Sequence, residues 1–222
     1  ATGSPVGPPP RTREGRPVEA VPEFERDDGM ITVGVIRNGA NYLSHHLRKN
    51  DYWSEGEKAV QGEWIGEGAR ALGLTGPVTD KPFEALRENR HPRTGEPLTA
   101  RDQANRVAFF DVQLSAPKDV SVLAMVGGDE RVGEAFRESV KIALAEMERF
   151  AAVRERRGEA AGSEQIRLTG NYVGALFVHD TSRDLDPQLH VHAVLANATW
   201  DHTRNEWLAL KQNEMLRASP YL

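Results

Sequence analysis

The chain of 222 residues contains no cysteine, which excludes disulfide bonds and metal sites built from thiolates. A metal ion in this protein would therefore need histidine, aspartate or glutamate ligands. Apolar runs are short, and none approaches the roughly 18–20 residues that a membrane-spanning helix needs. No signal-peptide pattern opens the sequence. Together with the missing cysteines, this favours a cytoplasmic protein.

Positive charge is also in deficit, because 28 Lys and Arg stand against 33 Asp and Glu and leave a formal net charge of −5. This balance is not typical of a protein that binds nucleic acid over its whole surface. If DNA is the partner, its groove must be locally basic on an acidic body. The apolar fraction of 39% and the charged fraction of 27% are those of an ordinary globular domain.

Prolines are concentrated at the start of the chain, where six of the thirteen lie within residues 1–29. With almost no aliphatic periodicity, this stretch cannot offset its ordering entropy, so we predict a disordered extension over 1–29 and a folded domain over 30–222. Strands are predicted at 30–36 and 106–115. Apolar residues at helical spacing predict a long helix over 129–157.

Two further strands, at 170–179 and 188–200, flank the polar loop DTSRDLDP and predict a β-hairpin. The second strand carries His190 and His192, whose imidazoles project from the same face because side chains alternate along a strand. Their Cα atoms would lie about 6.5 Å apart. The hairpin returns His179, at the end of the first strand, to the start of the second. The three histidines form a candidate metal triad.

A bland interpretation of these histidines stands beside the metal hypothesis. A single surface histidine carries no information, and an HxH pair alone is more often accidental than ligating. The third histidine across the hairpin strengthens the metal hypothesis. The remaining histidines are interpreted as solvated or incidental: His45, His46, His91 and His202.

Several motifs extend beyond the histidines. The segment HDTSRDLDPQLHVHAVLAN (179–197) resembles the histidine motif of conjugative DNA relaxases of the MobF (TrwC/TraI-like) class, within the HUH endonuclease superfamily. FDVQLSAPKDVSVLA (110–124) resembles the family's second motif, an acidic residue on a strand followed by Ser-Ala-Pro-Lys. GEWIGEGARALGLTG (62–76) resembles its W-x-G-x-G-A-x-x-L-G-L segment, and NYLSHHLRKNDYW (41–53) its tyrosine segment. With WLALKQNEM near the end, the matches run in order along the chain.

The resemblance implies an α/β fold of the HUH, palm-like type, in which an antiparallel sheet carries the histidines and helices pack on one side. It implies His179, His190 and His192 as ligands of a divalent metal ion, Mg, Mn or Zn. The chain stops at Leu222, whereas relatives continue with further relaxase sequence and often a helicase domain. We therefore expect a C-terminally truncated relaxase domain.

The resemblance also assigns roles to residues that periodicity does not distinguish. Tyr42 falls where the family has its nucleophilic tyrosine, and Tyr52 falls on a second tyrosine that some members use for later strand transfer. Asp111 matches the acidic residue that orients a ligand or assists the tyrosine. Two departures stand out: Gln113 replaces a common threonine, and Trp53 follows Tyr52 where a Tyr–Tyr pair is frequent.

The implied reaction is site- and strand-specific nicking of single-stranded DNA at a plasmid origin of transfer (oriT), through a covalent 5′-phosphotyrosine. A phenol has a pKa near 10, so Tyr42 needs a nearby base or a metal ion's field to attack at neutral pH. The alternatives are a rolling-circle replication initiator of the same superfamily, a metal-dependent hydrolase using activated water, and a non-catalytic DNA-binding module.

Partners follow from the same resemblance. They are single-stranded DNA at oriT, relaxosome accessory proteins and the conjugation coupling protein, without membrane insertion. Lys118, Arg48, Arg106 and Arg183 are candidate phosphate contacts. Solvated surface charge explains each of these four equally well.

Overall fold

The structure is a computed structural model, and it describes residues 23–27, 30–37, 42–43, 60–100, 105–155, 165–182 and 186–217. The strands in chain order are β1 (Glu23–Asp27), β2 (Ile31–Ile36), β3 (Glu63–Ile65), β4 (Phe109–Ser115), β5 (Ala152–Glu155), β6 (Gln165–Leu168), β7 (Gly174–Thr181), β8 (Pro187–Ala196), β9 (Thr199–Asp201) and β10 (Glu206–Leu208). The helices are α1 (Glu67–Ala71), α2 (Asp80–Arg87), α3 (Lys118–Met125), α4 (Glu130–Glu148) and α5 (Gln212–Arg217).

A six-stranded sheet in the order β1-β2-β4-β8-β7-β3 forms the centre of the fold, and each neighbouring pair is antiparallel. Two small antiparallel pairs, β5–β6 and β9–β10, lie outside it. The predicted α/β class with an antiparallel sheet is confirmed. So is the hairpin, since β7 and β8 pair along their length.

Each face of the central sheet packs an apolar core, because successive side chains alternate between the two faces. On one face, Val112 of β4 and Val191 of β8 pack with Leu144 of α4. On the other, Phe109 and Phe177 pack with Phe83 of α2. Helices therefore cover both faces, and the expectation of helices on one side only is wrong.

The long helix is shorter than its periodicity predicts. It begins at Glu130 with Asp129 as N-cap, whose side chain accepts from the Arg131 N–H, and it ends at Glu148. Within the rest of the predicted helix, Ala152–Glu155 instead forms β5, which pairs with β6. Phe150 continues the apolar spacing of the helix, but it lies on the surface. Pairing with the next strand along the chain overrides the helical pattern here.

One strand lies within the segment predicted as an N-terminal extension. Residues Glu23–Asp27 form the edge strand β1, which pairs antiparallel with β2 and shows a register shift between Phe24 and Arg26. Edge pairing uses backbone hydrogen bonds, so it needs no aliphatic periodicity. The other residues of the predicted extension lie outside the described ranges. No helix in the described part of the chain combines the length and the apolar character needed to cross a bilayer.

Candidate active site

The histidine cluster is built by the register of the β-hairpin. His179 on β7 lies directly opposite His190 on β8, and His192 follows two residues later on the same face. A register shift between His179 and Thr181 interrupts the pairing next to the cluster, before Thr181 pairs with Pro187. Such bulges redirect side chains at the end of a ladder. All three imidazoles therefore project from one side of the sheet, as the alternation predicts.

The ring positions suit a single ion. The three ring centroids lie 5.3 Å (His179–His190), 5.1 Å (His179–His192) and 5.2 Å (His190–His192) apart. Three imidazoles bound tetrahedrally at a metal–nitrogen distance of about 2.1 Å would have centroids about 5 Å apart. In their present rotamers the three histidines do not form a ready-made site, because no group of three or more His, Cys, Asp or Glu side chains among the described residues is arranged to hold an ion. Ligation would therefore require the side chains to adjust.

Hydrogen bonds hold two of the rings in a ligating tautomer. The Nδ1 of His190 lies 2.9 Å from the carbonyl oxygen of Gln188, which can only accept, so Nδ1 carries the proton. The Nδ1 of His192 lies 2.9 and 3.0 Å from the two oxygens of Asp111 and donates to that carboxylate. In the neutral rings the Nε2 atoms then present their lone pairs, as a metal-binding histidine requires.

Asp111 is the residue that joins the parts of the site. It lies on β4, opposite Val194 and diagonal to His192, and its side chain is 0% exposed. Burial alone would raise the pKa of this carboxyl, but the electrostatic interaction and hydrogen bond with His192 and the hydrogen bond from Tyr42 lower the pKa below its ordinary value. Asp111 is therefore an anion that accepts hydrogen bonds from both neighbours.

Tyr42 lies at the other side of that carboxylate. Its hydroxyl donates to Asp111 Oδ2 at 2.6 Å. Its side chain is 5% exposed, within the apolar core on the same face of the sheet as the histidines. The structure thus brings together five of the six predicted site residues, although 69 positions separate Tyr42 from Asp111. Tyr52, the sixth, lies outside the described residues.

Two of the four candidate phosphate contacts, Arg106 and Lys118, lie within the described residues. Arg106 donates to the carbonyl oxygens of Leu86 and Arg87 at the end of α2, which supports a structural role. Lys118 donates to the Pro187 carbonyl at 3.0 Å, where β8 begins. Arg48 and Arg183 lie outside the described residues.

Ser121 is a residue of the site's framework that sequence reasoning missed. Its Oγ accepts from the Leu189 N–H at 3.0 Å and donates to the Pro117 carbonyl at 3.2 Å. The side chain is fully buried. Helix α3 is thereby attached to β8 one residue before His190. The only signal in the sequence is a serine one turn after Pro117, which indicates a local bond but not the distant strand.

The arrangement has a definite chemical capacity. A buried phenol donates to a carboxylate, and the same carboxylate orients one ring of a three-imidazole cluster. A cation and a phenolic nucleophile could thus be held on opposite sides of one carboxylate. This geometry suits attack by the phenol oxygen on an electrophile bound at the cation.

Known proteins resemble the chain in sequence. The family model of the TrwC relaxase matches residues 36–222. The multifunctional conjugation protein TraI of Escherichia coli (strain K12) is 37% identical over 187 residues, which are 84% of this chain and 10% of TraI. A second Escherichia coli TraI is 36% identical over the same length. The chain thus spans about a tenth of these curated relatives.

The resemblance extends to solved structures. The conjugative relaxase TrwC in complex with oriT DNA, in a metal-free structure, aligns with a TM-score of 0.71 at 32% identity. The alignment covers 86% of this chain and 64% of that chain. TrwC with oriT DNA also matches in a copper-bound and a metal-bound structure, each with the same TM-score and identity.

Proposed function

This chain belongs to the TrwC relaxase family, and on that premise we propose that it nicks single-stranded DNA at a plasmid origin of transfer. The reaction is site- and strand-specific, and the 5′ end of the cut strand stays attached to Tyr42. The observation that carries the proposal is the chain of hydrogen bonds from the Tyr42 hydroxyl through Asp111 to His192. A binding module would have no need of a buried phenol hydrogen-bonded to an anion beside three imidazoles.

A divalent metal ion, Mg, Mn or Zn, is part of this proposal. His179, His190 and His192 are its ligands, and support comes from the ring spacing near 5 Å and from the Nδ1 hydrogen bonds of His190 and His192. Bound there, the ion supplies Lewis-acid polarisation of a phosphate and a template that aligns it. The TrwC structures in copper-bound and metal-bound form are consistent with this role.

Tyr42 is the nucleophile, and Asp111 orients its hydroxyl and accepts its proton. The hydrogen bond to Asp111 Oδ2 fixes the direction of the Tyr42 hydroxyl. As the Oη–P bond forms and the P–O3′ bond breaks, the phenol oxygen becomes more acidic and its proton passes to Asp111. The departing O3′ takes a proton from solvent. Asp111 meanwhile keeps His192 in the tautomer that exposes Nε2.

The covalent product explains the choice of a tyrosine. A phosphotyrosine is an aryl ester that retains much of the energy of the cut bond, so a 3′-OH can later attack it and rejoin the strand. Attack by water would lose that energy.

We propose Tyr52 as a second tyrosine for a later strand transfer. We also propose that relaxosome accessory proteins and the conjugation coupling protein are partners of this protein, and that it acts in the cytoplasm.

The decisive test is covalent attachment. The chain is incubated with Mn²⁺ and 5′- or 3′-labelled single-stranded oligonucleotides tiled across the transfer origin of the replicon that encodes it, and the products are separated on a denaturing gel. We expect a protein–DNA band that retains the label on the 3′ side of the cut. Tyr42→Phe should abolish this band.

The matched control is Tyr172→Phe, which removes another buried tyrosine hydroxyl, one that donates to the Leu144 carbonyl. It should leave the band intact. Cleavage that survives in Tyr42→Phe without a covalent band would indicate a hydrolase instead. Binding without cleavage that is unaffected by EDTA would indicate a DNA-binding module. Reaction at a replication origin and not at oriT would favour a rolling-circle initiator.

A further inference from the structure

A second polar row runs along the histidines on the neighbouring strand. On β4, Asp111, Gln113 and Ser115 share one face, while Val112 and Leu114 point into the opposite core. The register with β8 sets each member beside a specific neighbour. In such directly opposed pairs the Cβ atoms lie about 4.5–5.5 Å apart.

Gln113 lies opposite His192, and Ser115 lies opposite His190. Thr32 on β2 flanks Gln113 on its other side, and Phe177 on β7 flanks His192. Gln113 is thus the amide nearest the imidazole cluster in this row. Its side chain extends from the sheet on the side where the three rings project.

The amide of Gln113 is only weakly engaged. Its Nε2 lies 3.4 Å from Ser115 Oγ, at the long limit for a hydrogen bond, and the side chain is half-buried. An amide nitrogen carries two N–H groups, and this contact uses one of them. Asp111, by contrast, is engaged by both Tyr42 and His192. The Asp111 carboxylate beside it would repel a phosphate. The Gln113 amide N–H offers an anionic substrate an attractive contact at this position.

We infer that Gln113 Nε2 donates a hydrogen bond to a non-bridging oxygen of the scissile phosphate, which makes it a further catalytic residue. The inference rests on the proposed nicking function. Negative charge shifts among the phosphate oxygens as Tyr42 attacks, so a fixed donor stabilises the transition state more than the bound substrate. Removal of the amide should therefore slow covalent attachment more than it weakens DNA binding.

The experiment compares single-turnover rates of covalent attachment to the reactive oligonucleotide for the wild type, Gln113→Ala and Gln113→Glu. A lost hydrogen bond to a charged group predicts a rate that is about tenfold to a hundredfold lower in Gln113→Ala. Gln113→Glu, which places an anion beside the phosphate, should be slower still. Oligonucleotide affinity in Gln113→Ala should change by less than about threefold, and Mn²⁺ affinity should not change.

Gln165→Ala, at an exposed strand glutamine on β6, is the matched control and should react at the wild-type rate. Thermal unfolding of each variant checks that the fold is retained. The two phosphorothioate diastereomers at the scissile phosphate test the contact itself, because sulfur accepts hydrogen bonds poorly. One diastereomer should lose the difference between wild type and Gln113→Ala, and the other should keep it.

The outcomes separate the two proposals. If the wild type forms no covalent band, nicking itself is overturned and this inference with it. If the wild type reacts and Gln113→Ala reacts equally fast, or if both diastereomers keep the full difference, only the role of Gln113 is overturned. Weaker Mn²⁺ binding in Gln113→Ala would also overturn it, because the amide would then serve the metal and not the phosphate.

Discussion

Ser121→Ala tests how helix α3 is attached to the histidine strand. The substitution removes the Oγ that accepts the Leu189 N–H at 3.0 Å, and this backbone donor is then left buried without that acceptor. An unsatisfied buried donor costs about 1–3 kcal/mol. Alanine has the better helix propensity by about 0.5 kcal/mol. The expected loss in the free energy of unfolding is therefore about 0.5–2.5 kcal/mol.

Ser139→Ala is the matched control, because the Ser139 Oγ donates to the Phe136 carbonyl within its own helix but has an exposed side chain and no bond to a strand. Its effect should stay within about 0.5 kcal/mol. Urea unfolding followed by circular dichroism measures both variants. Amide hydrogen exchange should show faster exchange at Leu189 in Ser121→Ala only.

A second readout links the helix to the site. Leu189 precedes His190, so loosening of this backbone should lower Mn²⁺ affinity in Ser121→Ala, measured by calorimetry on the folded protein. Equal stabilities for Ser121→Ala and Ser139→Ala would refute the reasoning. Unchanged exchange at Leu189 would refute it as well, because the bond across to β8 would then carry no free energy.

Two further predictions concern contacts between the start of α1, the end of α4 and the segment that precedes β7. Gly66→Ala should lower the free energy of unfolding by more than Gly76→Ala in urea titrations, because both glycines have positive φ (93° and 70°) but a Cβ at Gly66 would lie 2.4 Å from the Tyr172 carbonyl oxygen, whereas at Gly76 nothing lies within 4 Å. Equal losses would contradict this. Glu148 accepts the Glu67 and Tyr172 N–H groups at 2.7 and 3.0 Å, and burial raises the pKa of its carboxyl. A raised folded-state pKa gives stability that is present below the unfolded pKa and is lost as pH rises through the folded pKa. Glu148→Gln should therefore remove a fall in stability that the wild type shows above pH 4.5, the ordinary pKa of the glutamate carboxyl, and identical pH profiles of unfolding would contradict it.

Local pattern predicted several elements of the fold and failed where strand pairing overrides helical spacing. The strand at 30–36 and the hairpin are confirmed because alternation and turn residues act over short stretches. The predicted end of α4 was wrong because Phe150 fits the helical spacing. The chain nevertheless leaves the helix and forms β5, which pairs with β6. The helical spacing carries no information about the partner strand that follows.

The sequence alone predicts that His190 and His192 face the same side, because alternation is a property of any single strand. It also placed His179 near them, because a hairpin is a local structure. Local sequence does not specify that β4 pairs with β8 in the register that sets Asp111 diagonal to His192, or that Tyr42 reaches the same carboxylate. Both contacts arise only in the assembled fold. The reason is that strand order depends on the free energy of the assembled sheet and its two cores, which no stretch of sequence contains alone.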